Sequence, residues 1–180
     1  MRMTLIRHPQ PLVAPGVCYG STDLALAQKP RDQVLAALAG TLPAGAPLYA
    51  SPLRRCAELA ERIGAATPIY DARLAEMHFG AWEMQRWDDI PRTEIDAWAA
   101  DLVHYRPGGG ESVLQMATRV ADFYSALRAG APSDIIIVCH AGTMRLLMAC
   151  HAGLAPAAMA LHAAGTPHSI AYGERIVLQD

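Results

Sequence analysis

Asp134–Cys139, reading DIIIVC, is an apolar strand without interruption, and it constrains the fold more than any other segment. A strand with one face in water alternates apolar and polar residues. A strand apolar on both faces belongs inside a parallel sheet covered by helices on each side. The surrounding patterns agree. Ser112 with Gln115 three residues on forms a capping box that opens a helix with Val113, Met116, Val120, Phe123 and Leu127 at helical spacing. Gly142–Cys150 reads as the helix following the strand. Met3–Ile6 is a short buried strand, and Pro9 to Thr22 a loop rich in Pro and Gly. Arg31–Gly40 is a short helix with Val34, Leu35 and Leu38 on one face. Pro47–Ala50 is a second strand. Ser51-Pro52 then supplies an N-cap and a first-turn proline for a helix with Leu53, Cys56, Leu59 and Ile63 on one stripe, closed by Gly64. Ile69–Leu74 reads as an edge strand, and residues 84–105 as one or two helices interrupted near Pro91. Gly108-Gly109-Gly110 reads as a flexible loop, and Ser169–Leu178 as a terminal strand or hairpin broken at Gly173. Strands alternating with helices predict an α/β fold: a three-layer sandwich with a mostly parallel central sheet flanked by helices. The expected organisation is a single domain over residues 1–180, with 84–110 as a helical lid.

The chemistry gathers at strand ends. Leu5-Ile6 stops on Arg7-His8. The second strand stops on Ser51, with Arg54 and Arg55 in the first turn behind it. The DIIIVC strand stops on His140, and Ala141-Gly142 lead into a helix. Residues just past strand ends line the crevice where open α/β sheets bind ligands. Cations in a first helical turn oppose the helix dipole. An anion in the crevice reconciles the two, since it takes the arginines and the free N–H groups together. A phosphate dianion has oxygens enough for two guanidinium forks, two imidazoles and several amides. A plainer role exists for each residue. Arg54 and Arg55 read equally as solvated surface, His140 as a satisfied core histidine, and Glu76 as a loop carboxylate.

Bulk properties exclude other classes. The 180 residues are 52% hydrophobic and 18% charged, enough for a packed core and unlike a disordered chain. A net charge of −2 gives no basic field for nucleic acid or an acidic membrane surface. No stretch approaches the roughly 20 apolar residues of a membrane span. Cys18, Cys56, Cys139 and Cys150 lack CxxC spacing and read as free thiols of a reducing, cytoplasmic compartment, and the N-terminus reads without a secretory leader. His104, His151, His162 and His168 are scattered, with no HxH or HxxxH spacing, so no metal and no cofactor is expected.

In this order, Arg7-His8, Ser51-Pro52-Leu53-Arg54-Arg55, Glu76 ahead of Phe79-Gly80-Ala81-Trp82-Glu83, Gly109-Gly110-Glu111-Ser112 and Val138-Cys139-His140-Ala141-Gly142 resemble the histidine phosphatase (phosphoglycerate-mutase-like) superfamily. The resemblance runs from about residue 3 to 145. It implies His8 as the nucleophile that becomes phosphohistidine, Arg7, Arg55 and His140 as the phosphate pocket, and Glu76 as the proton donor. In that family the second arginine lies four residues after the serine, which selects Arg55 over Arg54. Gly16–Asp23 is most similar to the α-ribazole phosphatase group, with Gly20 and Ser21 as substrate-binding candidates. The implied activity is phosphomonoester hydrolysis on a small phosphorylated metabolite such as α-ribazole 5′-phosphate. The partner is that substrate, with neither nucleic acid nor membrane, and a homodimer is compatible with the pattern. The sequence departs from the family at Pro9, Gln10-Pro11 and Met84, where the family carries Gly, Glu-Thr and Gly.

Three alternatives stay open on the sequence. Cys139-His140-Ala141-Gly142-Thr143-Met144-Arg145 satisfies Cys-x5-Arg and resembles the cysteine phosphatases. A non-catalytic phosphate-ligand binding protein would keep the pocket without turnover. A mutase would require a longer covering insertion than 84–110 supplies.

Overall fold

The computed structural model describes residues 1–130, 132–167 and 169–180, so His168 lies outside the described residues. Strands β1 (Arg2–Arg7), β2 (Leu48–Ala50), β3 (Pro68–Tyr70), β4 (Asp134–Cys139) and β5 (Arg175–Gln179) form one sheet in the order β3-β2-β4-β1-β5. All pairings are parallel except the terminal one, β1 with β5. β4 lies at the centre, and Ile135 through Cys139 are fully buried. Burying each of those aliphatic side chains contributes on the order of 1.5–3 kcal/mol, which is why an apolar run of period one sits between two helical layers.

Alternation along β4 sorts the layers. Ile135, Ile137 and Cys139 pack against helices α4 (Val113–Ala129), α5 (Ala141–His151) and α6 (Pro156–Gly165). Ile136 and Val138 pack on the opposite face with residues of α1 (Gln28–Leu38) and α2 (Arg54–Ala60). The result is the expected three-layer α/β sandwich. α3 (Arg92–Ala100) belongs to neither layer. Its Ile95 and Trp98 join Cys18, Trp82, Ile90 and Tyr105 in a separate aromatic cluster. α6 has no counterpart in the sequence reading: its buried face is Met159, Ala160 and Ala163, too small in side chain to stand out as a stripe.

Register brings the strand ends together. Arg7 pairs with Cys139 and Ala50 with Val138, so His8, Ser51 and His140 leave the sheet side by side. The chain runs from β1 past the place of β4 to β2, then outward to β3, and β4 returns to fill the gap. That reversal opens a crevice at the carboxyl ends of β1, β4 and β2.

Three local expectations change. Ser51 does not cap a helix. α2 begins at Arg54 with no side-chain cap, and the Ser51 hydroxyl turns to the ring of His140 at 2.8 Å. The edge strand ends at Tyr70, and Ala72–Leu74 closes into a 3-10 turn capped by the Asp71 side chain. Gly108 and Gly110 of the glycine run are close-packed: a Cβ on Gly80 would sit 2.1 Å from the Gly108 carbonyl oxygen, and one on Gly110 2.1 Å from that of His78. These glycines are there because two backbones touch. Met84, where the family pattern has glycine, keeps the left-handed conformation at φ 66°, at a cost of roughly 1–2 kcal/mol.

Candidate active site

His8 is buried at the end of β1, with its backbone N–H on the Cys139 carbonyl at 3.0 Å. Nδ1 lies 2.7 Å from the Pro9 carbonyl oxygen. A carbonyl accepts, so Nδ1 carries the proton and Nε2 keeps its lone pair. Pro9 therefore does for the imidazole what any residue with a carbonyl would. Burial, then the charge of Arg55, then that of Arg7 push His8 well below the usual histidine value of 6.5, against the opposing Pro9 hydrogen bond. Its ring centroid lies 5.0 Å from that of His140.

Two guanidinium groups flank these rings. Arg55 is fully buried: Nη1 donates to the Thr22 carbonyl at 2.7 Å and Nη2 to the Gly20 carbonyl at 2.5 Å. Arg7 Nη1 donates to the Ile170 carbonyl at 2.5 Å. The Nε of each is buried without a partner. Neither has a carboxylate partner among the described residues, so one fully buried and one half-buried positive charge are held by neutral carbonyls. Buried charge is costly unless matched, and a dianion between them supplies the match. Arg54, by contrast, has its side chain 57% exposed and pairs with Glu58 one turn on.

His140 ends β4 and stands at the N-terminus of α5. Burial first, then His8, Arg55, Arg119 and Arg7, lower its pKa well below the ordinary value. Glu76 arrives from the turn after Leu74. Its Oε2 accepts from the Gly142 N–H and its Oε1 from the Met77 N–H, each at 3.1 Å. A Cβ at position 142 would lie 2.4 Å from Glu76 Oε1, so glycine there admits the carboxyl to the helix end.

Arg7, His8, Gly20 and Glu76 line a cleft of about 510 Å³, with Phe79, Trp87 and Trp98 as an aromatic wall. Arg55 and His140 are fully buried and do not line it. Ser21 lies elsewhere. Its hydroxyl and N–H are bound to Glu83 Oε1 at 2.8 and 2.9 Å, and it lines a shallower cleft of about 440 Å³ beside His78 and Arg119. Among the described residues no group of three or more His, Cys, Asp or Glu side chains is placed to hold a metal ion, and no helix is long and apolar enough to cross a membrane.

Two features went unread in the sequence. Tyr19 and Tyr172 join hydroxyls at 2.8 Å, and their rings lie 5.3 Å from Arg55 and 4.0 Å from Arg7. Glu83 binds Ser21, the Thr22 hydroxyl and the Phe79 N–H, and so orders the 20–22 loop whose carbonyls hold Arg55. Burial opposes the charge on Glu83, and those hydrogen bonds outweigh it and hold its pKa below the ordinary carboxylate value. Glu83 was visible as part of the Trp-Glu motif. The tyrosines lie on loops with no local pattern.

The Cys-x5-Arg alternative fails on geometry. Cys139 points into the core beside Leu5, Leu74 and Met144. Burial, then Cys56 and Glu76, raise its pKa well above that of a free thiol, the reverse of what a nucleophile needs. Arg145 directs Nη2 to the carbonyls of Ala163 and Thr166.

The depressed histidines set a pH dependence of stability. An unfolded chain protonates both below about 6.5, and the folded chain resists, so stability present above that value is lost as pH falls. With two protons the limiting slope is about 2.7 kcal/mol per pH unit. Thermal unfolding between pH 7.5 and 5 should show this fall, and His8→Asn should halve it. A melting temperature flat to pH 5 would contradict the burial of these rings.

A family model described as the histidine phosphatase superfamily (branch 1) matches residues 3–172. An adenosylcobalamin/alpha-ribazole phosphatase of Salmonella typhimurium is 31% identical over 177 residues, covering 82% of this chain and 78% of its own length. The alpha-ribazole phosphatase structure from Shigella flexneri superposes with a TM-score of 0.84 at 25% identity, covering 99% of this chain and 90% of that one. A mycobacterial glucosyl-3-phosphoglycerate phosphatase in complex with VO3 gives 0.77 at 26% identity, over 99% and 92%. With most of its length matched by the family model and its fold shared with these enzymes, the chain belongs to the histidine phosphatase superfamily and is a phosphatase.

Proposed function

We propose that this phosphatase hydrolyses α-ribazole 5′-phosphate through a phosphohistidine at His8, with 84–110 as the lid over the leaving group. The observation that carries the reading is the pair of uncompensated guanidinium groups of Arg7 and Arg55 around two neutral imidazoles. His8 Nε2 attacks phosphorus in line while Arg7, Arg55 and His140 stabilise the equatorial oxygens. The bond from phosphorus to the ester oxygen breaks, and the protonated Glu76 carboxyl gives its proton to that oxygen. Water then attacks the phosphohistidine, the Glu76 carboxylate takes the water's proton, and the N–P bond breaks to release phosphate and restore both groups. The aromatic wall of Phe79, Trp87 and Trp98 suits a flat base carried on a ribose phosphate. The names of the Salmonella and Shigella relatives point the same way.

The test compares kcat/KM for α-ribazole 5′-phosphate, 3-phosphoglycerate and glucosyl-3-phosphoglycerate, with a radiolabelled intermediate trapped on the best of them. We expect the ribazole ester to lead by at least about 100-fold, the scale of two or three kcal/mol of differential binding. The trapped phosphoenzyme should be acid-labile and alkali-stable. A lead for either glycerate ester overturns the substrate assignment, and an acid-stable intermediate overturns the chemistry.

A further inference from the structure

We propose that the Arg119–Glu111 ion pair is a positioning device for Glu76, holding the backbone on both sides of it so that its carboxyl meets the leaving oxygen. The inference rests on Glu76 being the proton donor.

Arg119 uses its planar fork completely. Nε and Nη2 donate to the two carboxylate oxygens of Glu111 at 2.7 and 2.8 Å. Nη1 donates to the carbonyls of Arg73 and Ala75, both at 2.8 Å, and Nη2 to the carbonyl of Glu76 itself at 3.3 Å. Glu111 holds the far side: its Oε2 accepts from the His78 N–H at 3.4 Å, and its own N–H donates to the His78 carbonyl at 2.7 Å. The chain from 73 to 78 is therefore tied to one ion pair at both ends, with Glu76 in the middle. Apart from the 3-10 turn Ala72–Leu74, that segment has no regular backbone pairing of its own. Thr143 adds a tether from α5, its hydroxyl 3.2 Å from the carbonyls of Leu74 and Ala75. Both members of the pair are about four-fifths buried, with side chains 21% and 18% exposed, so the fork geometry is retained. A lysine at 119 would offer one point charge where three carbonyls and two carboxylate oxygens now meet a fork.

Simple bracing of the fold and placement of an acid predict different kinetics. Bracing would affect all substrates alike. A misplaced general acid matters in proportion to the basicity of the leaving oxygen, because a weakly basic phenolate departs without a proton. The readout is kcat/KM, which reports phosphoryl transfer to His8, across aryl and alkyl phosphates of graded leaving-group pKa. Arg119→Lys, and Glu111→Gln as a second, isosteric route, should lose about 100-fold on alkyl phosphates, the scale of a misplacement near 1 Å. On 2,4-dinitrophenyl phosphate both should stay within about threefold of the unmodified enzyme, so the leaving-group dependence steepens towards that of Glu76→Gln. An equal loss on every ester, or no loss on any, from whichever variant folds overturns the inference while a steep Glu76→Gln leaves the acid assignment standing. A Glu76→Gln enzyme with unaltered leaving-group dependence overturns both.

Discussion

Replacing His8 by alanine is expected to lower kcat for phosphomonoesters by at least about 10⁴-fold, or roughly 5.5 kcal/mol of transition-state stabilisation. The size follows from what is removed. Without the imidazole no covalent intermediate forms, and water must attack the ester directly past two arginines placed for a different trajectory. The remaining groups still bind the anion, so the residual rate should come with a KM changed far less than kcat. The fold should persist, because the ring's hydrogen bond within the chain is the Pro9 contact, and the backbone bonds of His8 to Cys139 and Gly173 are ones that alanine keeps. The measurement is steady-state kinetics beside a thermal melt, with phosphoenzyme trapping on the same samples. Residual activity above about 1% in a folded His8→Ala enzyme would place the nucleophile elsewhere.

The strand ends were legible from sequence because runs such as DIIIVC and Met3–Ile6 have no other place to go than a covered parallel sheet, and parallel register then aligns Arg7-His8 with His140. The choice between Arg54 and Arg55 was not legible from the residues. Both sit in one helical turn with equal charge, and the family spacing decided it. The structure shows why the two differ: one guanidinium is buried on loop carbonyls, the other pairs with Glu58 at the surface. Ser51-Pro52 misled for a physical reason. A serine before proline at a helix start is the local signature of a cap, and here the hydroxyl makes its short contact with His140 at 2.8 Å and accepts locally only from the Leu53 N–H at 3.4 Å, ahead of the helix. The Arg119–Glu111 clamp, the Tyr19–Tyr172 pair and the aromatic cluster around Trp82 escaped notice because each joins residues of different segments whose local patterns are ordinary.

Arg55→Met separates the catalytic value of that guanidinium from its cost. The transition state loses one charged donor for the equatorial oxygens, a loss worth about 10²–10³ in kcat/KM, or roughly 2.7–4 kcal/mol. Stability should respond quite differently. Arg55 holds a fully buried charge without a counter-ion, and exchanging such a group for an apolar one of similar volume is often neutral or stabilising. Against this, the Gly20 and Thr22 carbonyls lose their donors, a cost of about 1–3 kcal/mol. The two effects oppose each other, so the ligand-free Arg55→Met enzyme should melt within a few degrees of its parent. The difference emerges with ligand. Phosphate or vanadate at 100 times its dissociation constant stabilises the parent by about 2.7 kcal/mol, and at the same concentration it should shift the melt of the variant far less. Arg54→Ala, one residue away, should leave both the kinetics and the anion-induced shift as they were. If Arg55→Met keeps the full shift, the anion is held by other groups and the pocket between Arg7, Arg55 and the two imidazoles is not where phosphate binds.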